Sequence, residues 1–218
     1  MADRAWVYVD PFCPWCFQTA RWASRLEELG VVDLSWGFFS LEVQNADHGA
    51  FDVHTHNRSV PSMRVGLLVR EELGQAAVGR YYLEVAGRMH FRDAQLRSVE
   101  TIEGALIDAG LEPSYAARAL AEEGTAQRLM KEHEALSERG FGVPTIVLDR
   151  EDGPAMFGPV IPRVPDDASS IELWQHVSWI IRNPNVYELK RERSEYPDLE
   201  GLRLGQIRRA ARQATEEQ

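Results

Sequence analysis

Asp10-Pro11-Phe12-Cys13-Pro14-Trp15-Cys16 is the stretch around which this sequence is best interpreted, because it holds both cysteines of the protein, two residues apart. It follows a short apolar run, Ala5 to Val9, which is typical of a buried strand, and it precedes a segment with helical apolar periodicity. Two cysteines with this spacing at the start of a helix can close a small disulfide ring and reopen it at little strain. The sequence therefore predicts a redox-active dithiol.

The two thiols are expected to have different roles. Free N–H groups and the macrodipole at a helix N-terminus favour an anion, so Cys13, expected to be the more exposed thiol, is biased toward the thiolate and acts as the nucleophile. Cys16 lies one turn inside the helix, where it can attack a mixed disulfide on Cys13 but is shielded from bulky external disulfides. We therefore expect Cys16 to be the resolving thiol.

Structural readings of the cysteine pair are half of a zinc knuckle or two unrelated buried thiols. A closed zinc site needs four ligands, and the sequence has no second cysteine pair. His54 and His56 could hold a metal weakly, but without a third ligand in the pattern a solvated loop is favoured. We predict no metal site.

Composition and charge narrow the class of partner. The chain has 218 residues and a formal net charge of -10, which argues against nucleic-acid binding, since that affinity comes mainly from Lys and Arg on phosphates. The N-terminal residues lack the basic and apolar regions of an export signal, and no run approaches the length of a membrane span. We expect a soluble, cytoplasmic protein without membrane contact. In the reducing cytoplasm a persistent structural disulfide is disfavoured.

The spacing of apolar residues divides the rest of the chain into predicted strands and helices. A helix after Cys13 and a strand from Val32 to Phe39 complete a βαβ unit, whose first turn lies at the carboxyl edge of the sheet. Residues 45–58 are polar and aperiodic, and the following pattern is helical to Arg139, with room for four or five helices. Strand patterns return at Phe141 to Leu148 and Ala155 to Gly158, followed by an amphipathic helix.

These elements predict an α/β domain formed by residues 1–45 and 140–182, interrupted by an all-helical insertion over residues 46–139. Residues 183–218 form a charged C-terminal extension, for which a peripheral or partly disordered tail is favoured over a docking element. His90 ends one helix of the insertion, where it either faces the cysteines or caps the helix in its positive form.

This order of elements resembles the thioredoxin fold of the DsbA family, from about Trp6 to Arg182. More narrowly, the Asp10 to Cys16 stretch, Phe157-Gly158-Pro159-Val160 and Glu188-Leu189-Lys190-Arg191 resemble the cytoplasmic mycothiol-dependent reductases of GC-rich bacteria. The strong preference of this chain for arginine over lysine agrees with a GC-rich genome. The expected fold is therefore α/β, a thioredoxin fold with an inserted all-helical domain.

The resemblance also implies a set of site residues and partners. It makes Cys13 the attacking and Cys16 the resolving thiol, and it implies a cis peptide bond before Pro144, with the Val143 backbone hydrogen-bonding a bound thiol or peptide. The substrate-binding residues that it implies are Pro14, Trp15, Asn45, His90, Val143 and Pro144. The partner is a low-molecular-weight thiol or a disulfide-bearing protein, and mycothiol is the expected reducing thiol, without a tightly bound cofactor.

Two residues depart from the DsbA pattern. Val7 stands where many thioredoxins and DsbA proteins have a buried acid that accepts the proton of the second thiol, so Cys16 lacks that base. Trp15 stands where DsbA has a histidine that stabilises the thiolate, and its ring carries one N–H donor but no charge. We therefore expect a couple less oxidising than that of DsbA.

Three functions from different classes fit these residues. The leading one is a reductive thiol-disulfide oxidoreductase, whose aromatic-rich pocket also suits flat, electron-poor molecules of the nitroaromatic type. The second is a glutathione-transferase-like isomerase of the same fold, although that family usually has serine as nucleophile and no resolving cysteine. The third is a redox-switched binding module or holdase, in which the disulfide moves the helical insertion.

Overall fold

The sheet of this protein has four strands in the order β2-β1-β3-β4, as seen in a computed structural model that describes residues 2–46 and 58–200. β1 (Asp3–Val9) and β2 (Val32–Phe38) run parallel. β3 (Thr145–Leu148) and β4 (Ala155–Phe157) complete the sheet with antiparallel pairings. This arrangement, with helices inserted between β2 and β3, confirms the predicted thioredoxin fold with a helical insertion.

The first βαβ unit positions the two cysteines. β1 has a neighbouring strand on each side, and its last three residues and the following Asp10 are buried. α1 (Pro14–Glu28) then crosses back over the sheet, with Trp22, Ala23 and Leu26 among its buried residues. A right-handed crossover of this kind places the turn before α1 at the carboxyl edge of the parallel strands, where ligands usually bind.

The helical insertion is attached through the short α2 (Leu41–Gln44). Ser40 caps it, since its hydroxyl accepts a hydrogen bond from the Val43 N–H. The predicted loop histidines His48, His54 and His56 lie outside the described residues. The longer helices that follow are α3 (Val60–Leu73), α4 (Gln75–Arg92), α5 (Val99–Asp108), α6 (Ser114–Ala121) and α7 (Glu123–Ser137).

The insertion covers β2, which is an edge strand of the sheet. The Trp36 N–H donates to the Gln75 side chain of α4 at 2.8 Å, and the Phe38 N–H donates to the Glu132 carboxylate of α7 at 2.8 Å. Glu132 also pairs with Arg70 of α3, with 2.6 Å between the charged atoms. Side chains from three helices therefore bond or cover backbone groups of β2. On an uncovered edge strand these groups would be free to pair with another strand.

Close packing also joins the insertion to the sheet. The rings of Trp36 and Tyr82 lie 5.2 Å apart, and Gly66 and Gly79 let α3 and α4 approach the aromatic residues of β2. A Cβ atom at Gly79 would stand 2.5 Å from the Trp36 ring nitrogen, and one at Gly66 would stand 2.5 Å from the Phe38 ring. Small residues at these positions are therefore required for contact between helix and strand.

The C-terminal extension departs from our expectation at the end of its described part. After α8 (Asp167–Arg182), which Asp166 caps through the Ser169 N–H at 2.9 Å, the chain returns to the α/β part of the molecule. Leu199 is fully buried, and the Asp198 N–H donates to the Pro162 carbonyl at 2.9 Å. The exposure of residues 187–196 fits the predicted peripheral segment, and the departure is confined to its end, where Pro197 and Leu199 are buried. Residues 201–218 lie outside the described part of the chain.

Candidate active site

The turn before α1 is held together by Asp10, which is fully buried. One carboxylate oxygen accepts the Phe12 N–H at 2.8 Å, and the other accepts the Leu41 N–H of α2 at 2.8 Å. The Asp10 carbonyl accepts the Cys13 N–H at 3.0 Å. This residue therefore fixes the cysteine turn and connects it to the start of the helical insertion.

Cys13 is the N-cap residue of α1, with Pro14 as the first residue of the helix. Its sulfur accepts the Cys16 N–H at 3.2 Å, the hydrogen bond that an N-cap side chain normally makes. Both thiols are free. We expected Cys13 to be the more exposed thiol, and it is so only in relative terms, with 5% of its surface exposed against 0% for Cys16.

Cys16 and Asp10 form a buried titratable pair. Burial, together with the neighbouring Cys13, raises the pKa of the Cys16 thiol well above its usual value. The Asp10 backbone N–H favours the Cys16 thiolate, whereas the Asp10 carboxylate charge opposes it. Burial also raises the pKa of Asp10 to about 6, although its two amide hydrogen bonds act in the opposite direction. The cysteine turn therefore contains a buried acid at Asp10, three residues before Cys13, whereas the position six residues before Cys13 is Val7.

Tyr82 of α4 brings a phenol to this cluster. Its ring is fully buried, and its hydroxyl has no hydrogen-bond partner within the part of the chain that the structure describes. Burial, then the charges of Cys16, Cys13 and Asp10, raise the pKa of Tyr82 well above its usual value. This phenol stays protonated at neutral pH, so it can donate a hydrogen bond to a neighbouring sulfur but cannot act as a base.

His90 lies in the last turn of α4 and is buried. Its Nε2–H donates to the Pro11 carbonyl at 2.9 Å, and its ring stacks on Phe17 with 5.2 Å between the centroids. Burial lowers the pKa of His90 to about 4, so the imidazole is neutral at neutral pH. Of the two roles that the sequence left open for His90, the contact with Pro11 favours the one near the cysteines, because the ring is bonded to the turn that carries Cys13.

Val143 and Pro144 lie beside the cysteine turn. Thr145 pairs with Tyr8, so Pro144 falls level with Val9, the last residue of β1. The Val143-Pro144 peptide bond is cis, as the resemblance implied, and both residues are buried. The Gly158 N–H donates to the Pro144 carbonyl at 2.8 Å, and the Thr19 hydroxyl of α1 donates to the Pro159 carbonyl at 2.7 Å.

Two arginines stack on aromatic residues that flank Cys13. Arg58 stands 5.8 Å from the centroid of the Phe12 ring, and Arg193 stands 5.2 Å from the centroid of the Trp15 ring. Phe12 is exposed and Trp15 is half-buried. Each ring therefore presents apolar surface with a cation above it. Asn45 ends α2 at the surface, four residues after the amide that Asp10 binds.

The sequence did not single out Asp10, Tyr82, Arg58 or Arg193 as functional residues. Asp10 precedes a proline, which is typical of any turn, and Tyr82 fits the apolar periodicity of its helix. Arg193 lies in a charged segment that favoured a solvated tail. The sequence did offer one signal for Asp10, which is an acid directly after a predicted buried strand. An acid in such a place is unusual unless it has a partner.

A thioredoxin fold with a free thiol pair at the N-terminus of α1 defines the class of this protein. It is a thiol-disulfide oxidoreductase of the DsbA-like type. The sequence profile of the Rv2466c-like family, described as "Mycothiol-dependent nitroreductase Rv2466c", matches residues 12–191, and the chain belongs to this family.

Individual proteins are similar to this chain in sequence or in fold. The chain is 28% identical over 190 residues to "Uncharacterized protein Rv2286c" of Mycobacterium tuberculosis (strain ATCC 25618 / H37Rv), which spans 86% of this chain and 81% of that protein. The fold is similar to the cytosolic disulfide reductase DsbM of Pseudomonas aeruginosa, with a TM-score of 0.56, 15% identity and coverage of 81% and 99% of the two chains. It is also similar to the probable DsbA oxidoreductase SCO1869 of Streptomyces coelicolor, with a TM-score of 0.55, 18% identity and coverage of 90% and 97%.

The described part of the chain shows neither a metal-binding cluster nor a membrane-spanning helix. Within residues 2–46 and 58–200, no group of three or more His, Cys, Asp or Glu side chains is arranged to hold a metal ion. In the same residues, no helix has the length and apolar character needed to cross a membrane.

Proposed function

We propose that this protein is a cytoplasmic, mycothiol-dependent reductase that uses Cys13 and Cys16 as its redox pair. The observation that carries the proposal is the position of Cys13, whose sulfur caps α1 and accepts the Cys16 N–H. The amide groups at a helix N-terminus favour negative charge, so a sulfur in this position is placed to act as the attacking thiol. The cytoplasmic location is supported by the reducing role, which suits a compartment where thiols are kept reduced.

The reaction consists of two exchanges. The Cys13 thiolate attacks a disulfide substrate, one substrate thiolate leaves, and a mixed disulfide forms on Cys13. Cys16 then attacks the Cys13 sulfur, the second substrate thiolate leaves, and the enzyme is oxidised to the Cys13-Cys16 disulfide. Two mycothiol molecules reverse these steps, the first by attacking Cys13, and they leave as mycothiol disulfide.

Reduction of a nitro group is the second reaction that the site suits. A nitroaromatic molecule is flat and electron-poor, and its nitro oxygens accept hydrogen bonds from guanidinium groups. Phe12 and Trp15 offer apolar faces beside Cys13, and Arg58 and Arg193 lie over those faces. The dithiol supplies two electrons and two protons, giving the nitroso compound, water and the enzyme disulfide.

The remaining residues of the sequence prediction fit roles around this pair. In this proposal Pro14 and Trp15 contact a bound thiol from the start of α1, and the Val143 backbone and Pro144 contact it from the residues before β3. Asn45, at the exposed end of α2, suits the polar sugar-inositol body of mycothiol, which needs a roomy polar groove. The partner is a low-molecular-weight thiol rather than a nucleic acid or a membrane.

The test compares reducing thiols. Oxidised enzyme is mixed with mycothiol or with glutathione at equal concentration, and the appearance of two free thiols per chain is followed by fluorescence and by mass spectrometry. We expect faster reduction by mycothiol, and steady turnover of a nitroaromatic substrate when mycothiol and its reductase system are present.

Other outcomes separate the alternatives. Equal or faster reduction by glutathione or thioredoxin would reduce the proposal to a general thioredoxin-fold oxidoreductase. Protection of an unfolding client in stoichiometric amounts, without turnover of any disulfide or nitro compound, would favour the redox-switched holdase.

A further inference from the structure

A groove between α1 and α4 takes no part in the proposed thiol chemistry. It has a volume of about 250 Å³, and neither Cys13 nor Cys16 contributes to it. Its lining comes from both helices and consists of Phe17, Arg21, Leu83, Glu84, Gly87, Arg88, Phe91 and Arg92. Most sites for drug-sized ligands are somewhat larger, so this groove suits a small molecule with a single ring.

Aromatic rings and bare helix backbone form the apolar part of the groove. The rings of Phe17 and Phe91 meet edge to face, with 5.4 Å between their centroids. Gly87 lies against both rings, since a Cβ atom at this position would stand 3.7 Å from Phe17 and 3.9 Å from Phe91. The Phe91 side chain is exposed. The groove therefore offers a flat apolar group the face and edge contacts that aromatic rings prefer.

Arg21 places a positive charge beside these rings. Its guanidinium carbon stands 5.7 Å from the Phe17 centroid and 5.5 Å from the Phe91 centroid. It donates a hydrogen bond to the neutral Gln18 side chain at 3.0 Å, and it makes no ion pair within residues 2–46 and 58–200. Burial lowers the pKa of Arg21, but a guanidinium stays charged at neutral pH. Its remaining N–H groups can therefore bind an anion.

The other charged groups leave the groove positive. Arg88 is neutralised by Asp108 of α5, with 2.6 Å between the charged atoms. Arg92, the last residue of α4, makes no ion pair among the described residues, and Glu84 is the one carboxylate of the lining. Arg21 and Arg92 thus outnumber Glu84, in a chain whose formal net charge is -10. A local positive charge on such a protein favours an anionic ligand at this place.

We propose that the groove between α1 and α4 binds a small aromatic carboxylate, at a site separate from Cys13. The ring of the ligand packs on Phe17 and Phe91, beside the bare backbone of Gly87. The carboxylate accepts hydrogen bonds from Arg21, whose planar guanidinium matches its two oxygens. Binding forms no covalent bond and needs neither thiol, so it is independent of the proposed redox reaction.

The experiment titrates benzoate into the reduced, isotope-labelled full-length enzyme and follows the amide signals by NMR. Benzoate should bind with a Kd of about 1 mM or tighter, and the largest shifts should occur at Gly87, Phe91 and their neighbours on α4. Benzamide has the ring without the charge, and acetate has the charge without the ring. Each should bind at least about tenfold more weakly than benzoate, because it loses one of the two sets of contacts.

Two variants of α1 separate a specific contact from general charge. Arg21→Gln should weaken benzoate binding on the order of tenfold, the usual effect of losing a hydrogen bond to a charged group. Arg25→Gln is the matched control, because it removes the same charge one turn later, where the guanidinium is bonded to Asp167 and Glu28. It should change the Kd less than about twofold.

Phe91→Ala removes an exposed ring and so tests the apolar contact with little risk to folding. It should weaken benzoate binding roughly two- to tenfold. The proposal would be overturned by equal effects of Arg21→Gln and Arg25→Gln, by equal binding of benzamide and benzoate, or by shifts centred on the cysteine turn instead of α4. Failure of mycothiol to reduce the enzyme would leave these results unchanged.

Discussion

The cysteine turn and the C-terminal segment of residues 183–200 contribute to the same site in opposite ways. In the turn, neighbours in sequence create the chemistry, since the Cys13 sulfur, the Cys16 N–H and Asp10 lie within seven residues. In the C-terminal segment, residues distant in sequence reach the turn by docking, with Leu199 in the core and Arg193 above Trp15.

This difference separates reactivity from selectivity. A thiol pair at a helix N-terminus is reactive wherever the fold presents it, because the effect depends on the first turn of the helix. The surface that a substrate meets beside Cys13 is instead assembled from the cysteine turn, Arg58 near the start of the insertion, and Arg193 near the end of the described chain. We therefore expect changes in the turn to affect whether reaction occurs, and changes in the distant segment to affect stability and substrate choice.

The largest effect should come from the cysteines. Cys13→Ser should release no thionitrobenzoate from 5,5′-dithiobis(2-nitrobenzoic acid), because the attacking thiol is lost. Cys16→Ser should release one equivalent and keep the mixed disulfide, whereas the wild type should release two. Since the chain has 2 cysteines, no other thiol contributes to the absorbance. Loss of the first equivalent in both variants would mean that the roles are not divided as proposed.

Docking of the C-terminal segment is tested with two leucines of the same segment. Leu199 is fully buried, whereas 69% of the Leu189 surface is exposed. Leu199→Ala should lower the free energy of unfolding by about 2 to 5 kcal/mol, as truncation of a buried leucine usually does. Leu189→Ala should change it by less than about 0.5 kcal/mol. Chemical denaturation of both variants measures the difference, and equal small effects would show that the segment does not dock in solution.

His90 should make stability depend on pH in the acid range. Its pKa in the folded protein is about 4, below the ordinary 6.5, so the unfolded chain takes up the proton first and stability is lost as pH falls from 6.5 toward 4. Between pH 7 and pH 5 this amounts to about 2 kcal/mol. Asp10, with its raised pKa, acts in the opposite direction over this range, and it remains in both proteins compared below.

The test is His90→Gln, which keeps an N–H donor for the Pro11 carbonyl but cannot titrate. Urea unfolding at pH 7 and pH 5 should show a loss of stability about 2 kcal/mol smaller in this variant than in the wild type. His133, whose pKa burial also lowers to about 4, is retained as common background. The same acid loss in both proteins would contradict the assignment of a buried neutral His90.

The smallest effect should come from Arg193. An exposed cation over an aromatic ring contributes about 0.5 to 1 kcal/mol, which corresponds to roughly two- to fivefold in kcat/KM. Arg193→Ala should lower kcat/KM for a nitroaromatic substrate by a factor of this size, and it should lower the free energy of unfolding by no more than about 1 kcal/mol. Arg191→Ala, an exposed arginine two positions earlier, is the control. Equal effects of both variants would assign the loss to general charge rather than to the contact with Trp15.

Much of the fold was predictable because its signals are local. The spacing of Cys13 and Cys16, the strand before them and the helical periodicity of the insertion all depend on neighbouring residues. The burial of Leu199 was not predictable, since one leucine in a charged stretch has no periodic pattern. The role of Asp10 was hidden for the same reason, because its second hydrogen bond comes from Leu41, 31 residues later in the chain.

The central claim, that Cys13 receives the partner thiol and Cys16 releases it, is tested most directly by peptide mass spectrometry after incubation with mycothiol disulfide. The Cys13 thiolate of the Cys16→Ser variant should displace one mycothiol and retain the other, so the adduct should be found on Cys13 in nearly every chain. In the wild type the same adduct should be resolved to the Cys13-Cys16 disulfide. An adduct that persists on wild-type Cys13, or its absence from the Cys16→Ser variant, would contradict the account.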